Sequence, residues 1–125
     1  MIQELKALNP EIIIIMHSDG AVAPLIDDFI EMGIEVYNPV QPNVPGSGPK
    51  ELADKYGGGI SFFGGIDQQV LLPSGDKVAL KKEIQERAAV FGARCGYLMA
   101  PAHIVQVDTS PEMVTTMISA VKELG

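Results

Sequence analysis

The sequence predicts an α/β chain of four consecutive strand–helix units built on a parallel sheet. Four times, a short apolar and mostly β-branched run gives way to a loop and then to a segment with helical spacing. Gly or Pro stands near most of the junctions. Side chains able to do chemistry collect after the apolar runs rather than before them.

A short helical stretch, Ile2 to Leu8, precedes the first run, Ile12-Ile13-Ile14-Ile15-Met16. Its unbroken apolar character predicts a strand covered on both faces. Gly20 follows, then Val22, Leu25, Ile26, Phe29 and Ile30 at helical spacing, with Gly33 as the C-terminal cap. The second run, Ile34-Glu35-Val36-Tyr37, leads through the Pro/Gly-rich stretch Asn38 to Pro49 into a short helix, Lys50 to Tyr56, with Pro49 suited to its first position. The third, Ile60-Ser61-Phe62-Phe63, ends at Gly64-Gly65 and is followed by an amphipathic helix, Lys77 to Phe91, with Gly92 beyond. The fourth is Tyr97-Leu98-Met99. A last helix follows Thr109-Ser110-Pro111-Glu112, where Thr109 and Glu112 have capping-box spacing. Each unit has the size of a strand plus a crossover helix, about 30 residues.

Composition narrows the function. With 46% hydrophobic residues in a chain of 125, disorder is excluded and one domain over residues 1–125 is expected. Nine basic against 16 acidic residues give a net charge of −7, which argues against a nucleic-acid partner. No apolar run approaches the roughly 20 residues that span a bilayer, so no membrane role is expected. The N-terminus lacks the basic and apolar regions of a signal peptide, and the single Cys95 has no disulfide partner; both point to a reducing, cytoplasmic setting.

Ligands of parallel α/β folds bind at the carboxyl ends of the strands, where loops converge. Immediately after the first run come His17, Ser18 and Asp19; after the second, Asn38 and Gln41; after the third, Asp67, Gln68 and Gln69; after the fourth, His103, Gln106 and Asp108. Both histidines of the chain fall on this one rim. The opposite loops, including Gly57-Gly58-Gly59 and Gly92-Ala93-Arg94, read as turn chemistry. His17-x-Asp19 offers two ligands on one strand end, and His103 approaches from another. Imidazole and carboxylate suit zinc, and three protein ligands leave an open coordination position. The same residues also read as hydrogen-bonding loop residues, with Asp19 fixing a turn before a helix. Asp67 is a candidate general base or, equally, a brace for its own loop. Asn38, Gln41, Gln68 and Gln106 are candidate substrate contacts. Cys95 lies at the far end of its strand and reads as a bystander thiol.

Taken in order, His17-Ser18-Asp19-Gly20, the stretch Gly33 to Pro42 (GIEVYNPVQP), Gly64-Gly65-Ile66-Asp67, Ala100-Pro101-Ala102-His103 and Asp108-Thr109-Ser110-Pro111-Glu112 resemble the uroporphyrinogen decarboxylase superfamily. That superfamily includes uroporphyrinogen decarboxylase and the zinc-dependent methyltransferases that move methyl groups between corrinoid proteins and thiols. The resemblance implies a (β/α)₈ barrel, of which this chain looks like the C-terminal half. It also implies a family activity, decarboxylation of tetrapyrrole acetate side chains, with metal-dependent methyl transfer and a non-catalytic half-barrel as the alternatives. In the methyltransferases a His-x-Cys pair and a later Cys bind zinc. His17 matches the first ligand, Asp19 stands in place of the Cys, and His103 falls near the second Cys. By resemblance to the decarboxylases, Asp19, Asp67 and His103 are the catalytic candidates.

The decarboxylases hold a polycarboxylate with basic residues from the N-terminal half of the barrel. None of the nine basic residues here lies directly at a strand's carboxyl end, so an octacarboxylate site in this chain alone is disfavoured. Four strands taken from a closed barrel also leave two open edges. A homo-oligomer re-forming a barrel-like sheet, or a separate N-terminal half, is therefore the expected partner beside a small-molecule substrate. A self-sufficient flavodoxin-like open sheet ranks second.

Overall fold

The computed structural model describes all residues, Met1–Gly125. Helix α1 (Ile2–Leu8) is followed by β1 (Ile15–His17), a 3₁₀ turn (Ala23–Leu25) running into α2 (Ile26–Glu31), β2 (Val36–Val40), α3 (Pro49–Tyr56), β3 (Ser61–Ile66), α4 (Leu71–Ser74), α5 (Lys77–Gly92), β4 (Tyr97–Pro101) and α6 (Pro111–Lys122). All four strands are parallel, and each lies beside its predecessor in the order β1-β2-β3-β4. A flavodoxin-like sheet would place its second strand outside the first. The consecutive order is that of a segment cut from a closed barrel, and the fold is an α/β sheet consistent with half of a (β/α)₈ barrel. No helix is long and apolar enough to cross a membrane.

One register row sets the sheet. Met16, Tyr37, Phe62 and Tyr97 are successive Cα partners across all four strands. Their side chains point to the helix-covered face, where Tyr37 and Phe62 are fully buried. Phe91 of α5 stacks on this row, 5.0 Å from Phe62 and 4.7 Å from Tyr97 between ring centroids, and Phe29 of α2 lies 6.4 Å from Tyr37. A second cluster, Ile66, Leu72, Leu80, Ile84, Met113 and Ala120, joins β3 to α4, α5 and α6.

The other face is only partly covered: Val36 is buried on it, but its neighbours towards both edges are not. Ile13 is 63% exposed, Ile15 50% and Leu98 51%. The apolar run at β1 was expected to be covered on both sides; only its helix side is. In a closed barrel the inner face meets side chains from opposite strands, and this sheet stops at four. The exposed surface of 7105 Å² exceeds the roughly 6,500 Å² that surface scaling gives for a compact monomer of 13.4 kDa.

Three local expectations are corrected. β1 begins at Ile15 rather than Ile12, because the Lys6 ammonium takes Ile12 O and the Glu35 carboxylate takes Ile14 N at 3.0 Å. At its other end the strand runs on to His17, which pairs with Asn38 of β2. β2 likewise runs on to Val40, which places Asn38 inside a strand rather than after it. The cap of α6 is Ser110, whose hydroxyl accepts from Met113 N at 3.3 Å; Thr109 Oγ1 is buried without a partner, and Glu112 pairs with Lys77 at 3.2 Å. The short helix α4 carries no sequence signal beyond Gly75, which closes it at φ +75°.

Since Phe62 anchors the register row at zero exposure, Phe62→Ala is expected to cost about 3–5 kcal/mol. Urea unfolding of the two proteins measures the difference, and a loss under 1 kcal/mol would contradict the packing described.

Candidate functional site

His17 is the last residue of β1 and the Cα partner of Asn38 in β2. Its Nδ1 lies 2.6 Å from Asn38 Oδ1, and the Asn38 amide nitrogen reaches back to Phe63 O on β3 at 3.5 Å. Asp19 follows two residues later, with Oδ2 3.8 Å from His17 Nε2. The loop that carries it is held on both sides: Ser18 N donates to Asn38 O at 2.9 Å and Gly20 N to Gln41 Oε1 at 2.6 Å. His103, just beyond β4, brings its ring to 6.2 Å from that of His17, at an interplanar angle of 60°.

One ligating atom from each of His17, Asp19 and His103 lies within 4.8 Å of the others, and all three residues are exposed. Four strands are needed to bring 17 and 103 together, and the parallel sheet does it by putting both at its carboxyl edge. A tetrahedral zinc with bonds near 2.0–2.1 Å spaces its ligand atoms about 3.3 Å apart. The observed group is looser by up to about 1.5 Å, within reach of rotamer changes in exposed side chains. The donor set fits zinc in type, in number and in leaving one position open.

His17, Asn38 and His103 line a cleft of about 490 Å³ together with Phe63, Ala100, Pro101, Ala102, Ile104 and Val105. No cationic side chain lines it.

The other rim residues predicted from the sequence do not line this cleft. Asp67 is 7% exposed and turned into its own loop, where Oδ1 accepts from Gln69 N at 2.8 Å and Val70 N at 3.0 Å. Burial alone would raise its carboxyl, but the Asn43 side chain and the N–H groups of Val70, Gln69 and Leu71 outweigh that and hold it below the usual 3.8. Gln68 is buried. Gln106 folds onto its own loop, donating to Ile104 O at 2.9 Å, and Gln41 is occupied by Gly20 N.

A charged pair behind β3 escapes the strand-end rule. Arg87 of α5 donates from Nε to Gly65 O at 3.0 Å and pairs with Glu83 at 3.4 Å, both side chains being largely buried; Glu83 in turn accepts from Asp67 N at 2.8 Å. Burial raises the Glu83 carboxyl above its usual value, against the Asp67 N–H and the Arg87 charge. Arg87 thus reaches the end of β3 from the helix side with its charge already matched. The i,i+4 spacing of Glu83 and Arg87 was the available signal. Gly64 and Gly65, at φ +109° and +92°, turn their carbonyls to Tyr97 Oη (2.7 Å from Gly64 O) and to Arg87. A Cβ on residue 65 would sit 2.7 Å from Tyr97 Oη.

The lowered Asp67 pKa sets a pH dependence. A carboxyl whose folded pKa lies below its unfolded value stabilises the fold above the unfolded value and loses that contribution as pH falls through the folded one. Asp67→Asn is expected to lower stability by about 1–2 kcal/mol at pH 7, with the gap closing below about pH 3.8. Denaturant midpoints of both proteins across pH 3–7 test this, and a pH-independent gap would contradict it.

The family model for uroporphyrinogen decarboxylase (URO-D) matches residues 1–124. No curated protein matches the chain. With the match running over practically the whole of a parallel, consecutively ordered half-barrel, the chain belongs to the uroporphyrinogen decarboxylase (URO-D) family.

Proposed function

We propose that this chain supplies the metal-binding half of a URO-D-family site, and that the site serves metal-dependent group transfer to a small acceptor rather than decarboxylation of a tetrapyrrole. The observation that carries the reading is the convergence of His17, Asp19 and His103 within 4.8 Å at the strand ends. The cleft beside them is apolar on most of its wall and lacks any cation, and the chain carries −7 overall. A polycarboxylate would be repelled there. A small molecule with an apolar body and one donor atom, a thiol above all, matches both the walls and the open coordination position.

In this reading His17 and His103 act as neutral imidazole ligands and Asp19 as the anionic one. A zinc ion bound there supplies Lewis acidity, which acidifies a coordinated thiol or water. Phe63, Ala100, Ile104 and Val105 hold the apolar part of the acceptor and keep water from it. The exposed strip Ile13, Ile15 and Leu98 would be covered by a complementary four-stranded half, which also closes the cleft and lowers its dielectric. A second copy of the chain is one source of that half, and a separate polypeptide the other.

Metal analysis after zinc supplementation and dialysis tests the reading. The wild-type chain is expected to retain close to one equivalent and His17→Ala or His103→Ala less than about a tenth; under a tenth in the wild type would overturn it. Light scattering at micromolar concentration reports on the complementary half. An assembly larger than one chain is expected for the isolated polypeptide, and a stable monomer would show that a second copy does not cover the open face.

A further inference from the structure

We infer that Asn38 is a positioning residue that locks His17 in the Nδ1–H tautomer and so presents Nε2, with its lone pair, to the metal side. This rests on the metal-site reading above, but its foundation is the ladder between β2 and β3. Val36 is the Cα partner of Ser61, and Ser61 N donates to Glu35 O. The alternation of a parallel ladder therefore brings Phe63 O to the N–H of residue 39. Residue 39 is proline and has no N–H. The register breaks there and pairing resumes one residue later, Val40 with Gly64, so the backbone passes residue 39 by and the Asn38 amide nitrogen stands 3.5 Å from Phe63 O as a side-chain donor in place of Pro39.

That substitution fixes which way the amide points. A carbonyl only accepts, so Phe63 O takes the amide N–H₂ and the amide oxygen is left facing β1. Reversing the amide would set two oxygens against each other. The amide oxygen also only accepts, so at 2.6 Å from His17 Nδ1 it requires the ring to donate there. A neutral imidazole has one N–H. With it spent on Asn38, Nε2 is unprotonated, and Nε2 is the atom 3.8 Å from Asp19 Oδ2. Both polar ends of Asn38 are thus used within the protein, and the residue expected from the sequence to touch substrate instead aims a ligand.

The tautomer is directly observable in metal-free protein. Long-range ¹H–¹⁵N spectra of the full 125-residue chain in EDTA at pH 8.5 contain two histidines only, and His103→Gln assigns them. His17 is expected to show a protonated Nδ1 and an unprotonated Nε2. In Asn38→Leu the ring should revert to mainly Nε2–H, and zinc affinity, read by competition with a chromophoric chelator, should fall about 10–100-fold. Nε2–H in the wild type overturns the inference, as does Asn38→Leu with unchanged tautomer and affinity. Should Asn38→Leu fail to fold, the wild-type spectrum decides alone. An Nδ1–H tautomer in a protein that retains no zinc would leave Asn38 as assigned and refute the metal reading; bound zinc with Nε2–H would do the reverse.

Discussion

The row of partners Met16, Tyr37, Phe62 and Tyr97 is the constraint on which the rest depends. Side chains alternate along a strand, so burying this row against α2 and α5 sends the next residue of each strand to the opposite face. His17 and Asn38 follow Met16 and Tyr37, and they face the cleft for that reason. A slip of one residue would bury His17 among Phe29 and Phe91 and expose Tyr37. The apolar energy of the helix-covered face therefore specifies the chemistry of the other. It also accounts for the Tyr37 phenol, which burial, with a contribution from the Asp19 charge, pushes up to about 12 and keeps neutral beside the site.

The same sheet is satisfied on one side only. Its helix-covered face holds both apolar clusters, whereas its concave face offers Ile13, Ile15 and Leu98 to water beside the cleft. The strand edges at β1 and β4 carry no partner in the sheet order. Edge strands with unpaired backbone groups and adjacent apolar side chains favour pairing with another sheet. Site and open face are one problem: the surface that lacks a partner is the surface that would have to be dried for the three ligands to act in a low dielectric.

Much of this was legible in the sequence, and what was not has identifiable causes. The four strand–helix units follow from hydrophobic period, and the rule that parallel folds work at strand ends placed His17, Asp19 and His103 on one rim, where the structure brings them within 4.8 Å of one another. Boundaries failed where apolar character does not discriminate: Ile12 to Ile14 are as apolar as Ile15, and only the capture of Ile12 O by Lys6 and Ile14 N by Glu35 starts the strand later. Thr109 and Ser110 are both good caps, and Pro111 at the first helical position selects the residue directly before it. Asp67 and Gln68 sit on the rim in sequence, yet the turn into α4 directs them inward. The role of Asn38 needs a register, because the residue without a donor is Pro39 and the carbonyl that Asn38 reaches is 25 residues away on another strand.

The ligand set itself constrains the acceptor. In the proposed site two neutral imidazoles and one carboxylate would leave a divalent ion with a single net positive charge. A fourth ligand that is a monoanion brings the centre to neutrality, whereas a polyanion would leave excess negative charge in a cleft that offers no counter-charge of its own. A carboxylate would also donate less charge to the ion than a thiolate, so a thiol or water bound there would be acidified more strongly. As a ligand in the proposed site, Asp19 would thus serve the activation of a small acidic donor while raising the electrophilicity of the ion. The one buried cation nearby, Arg87, does not alter this balance, since Glu83 neutralises it on the helix side of the sheet.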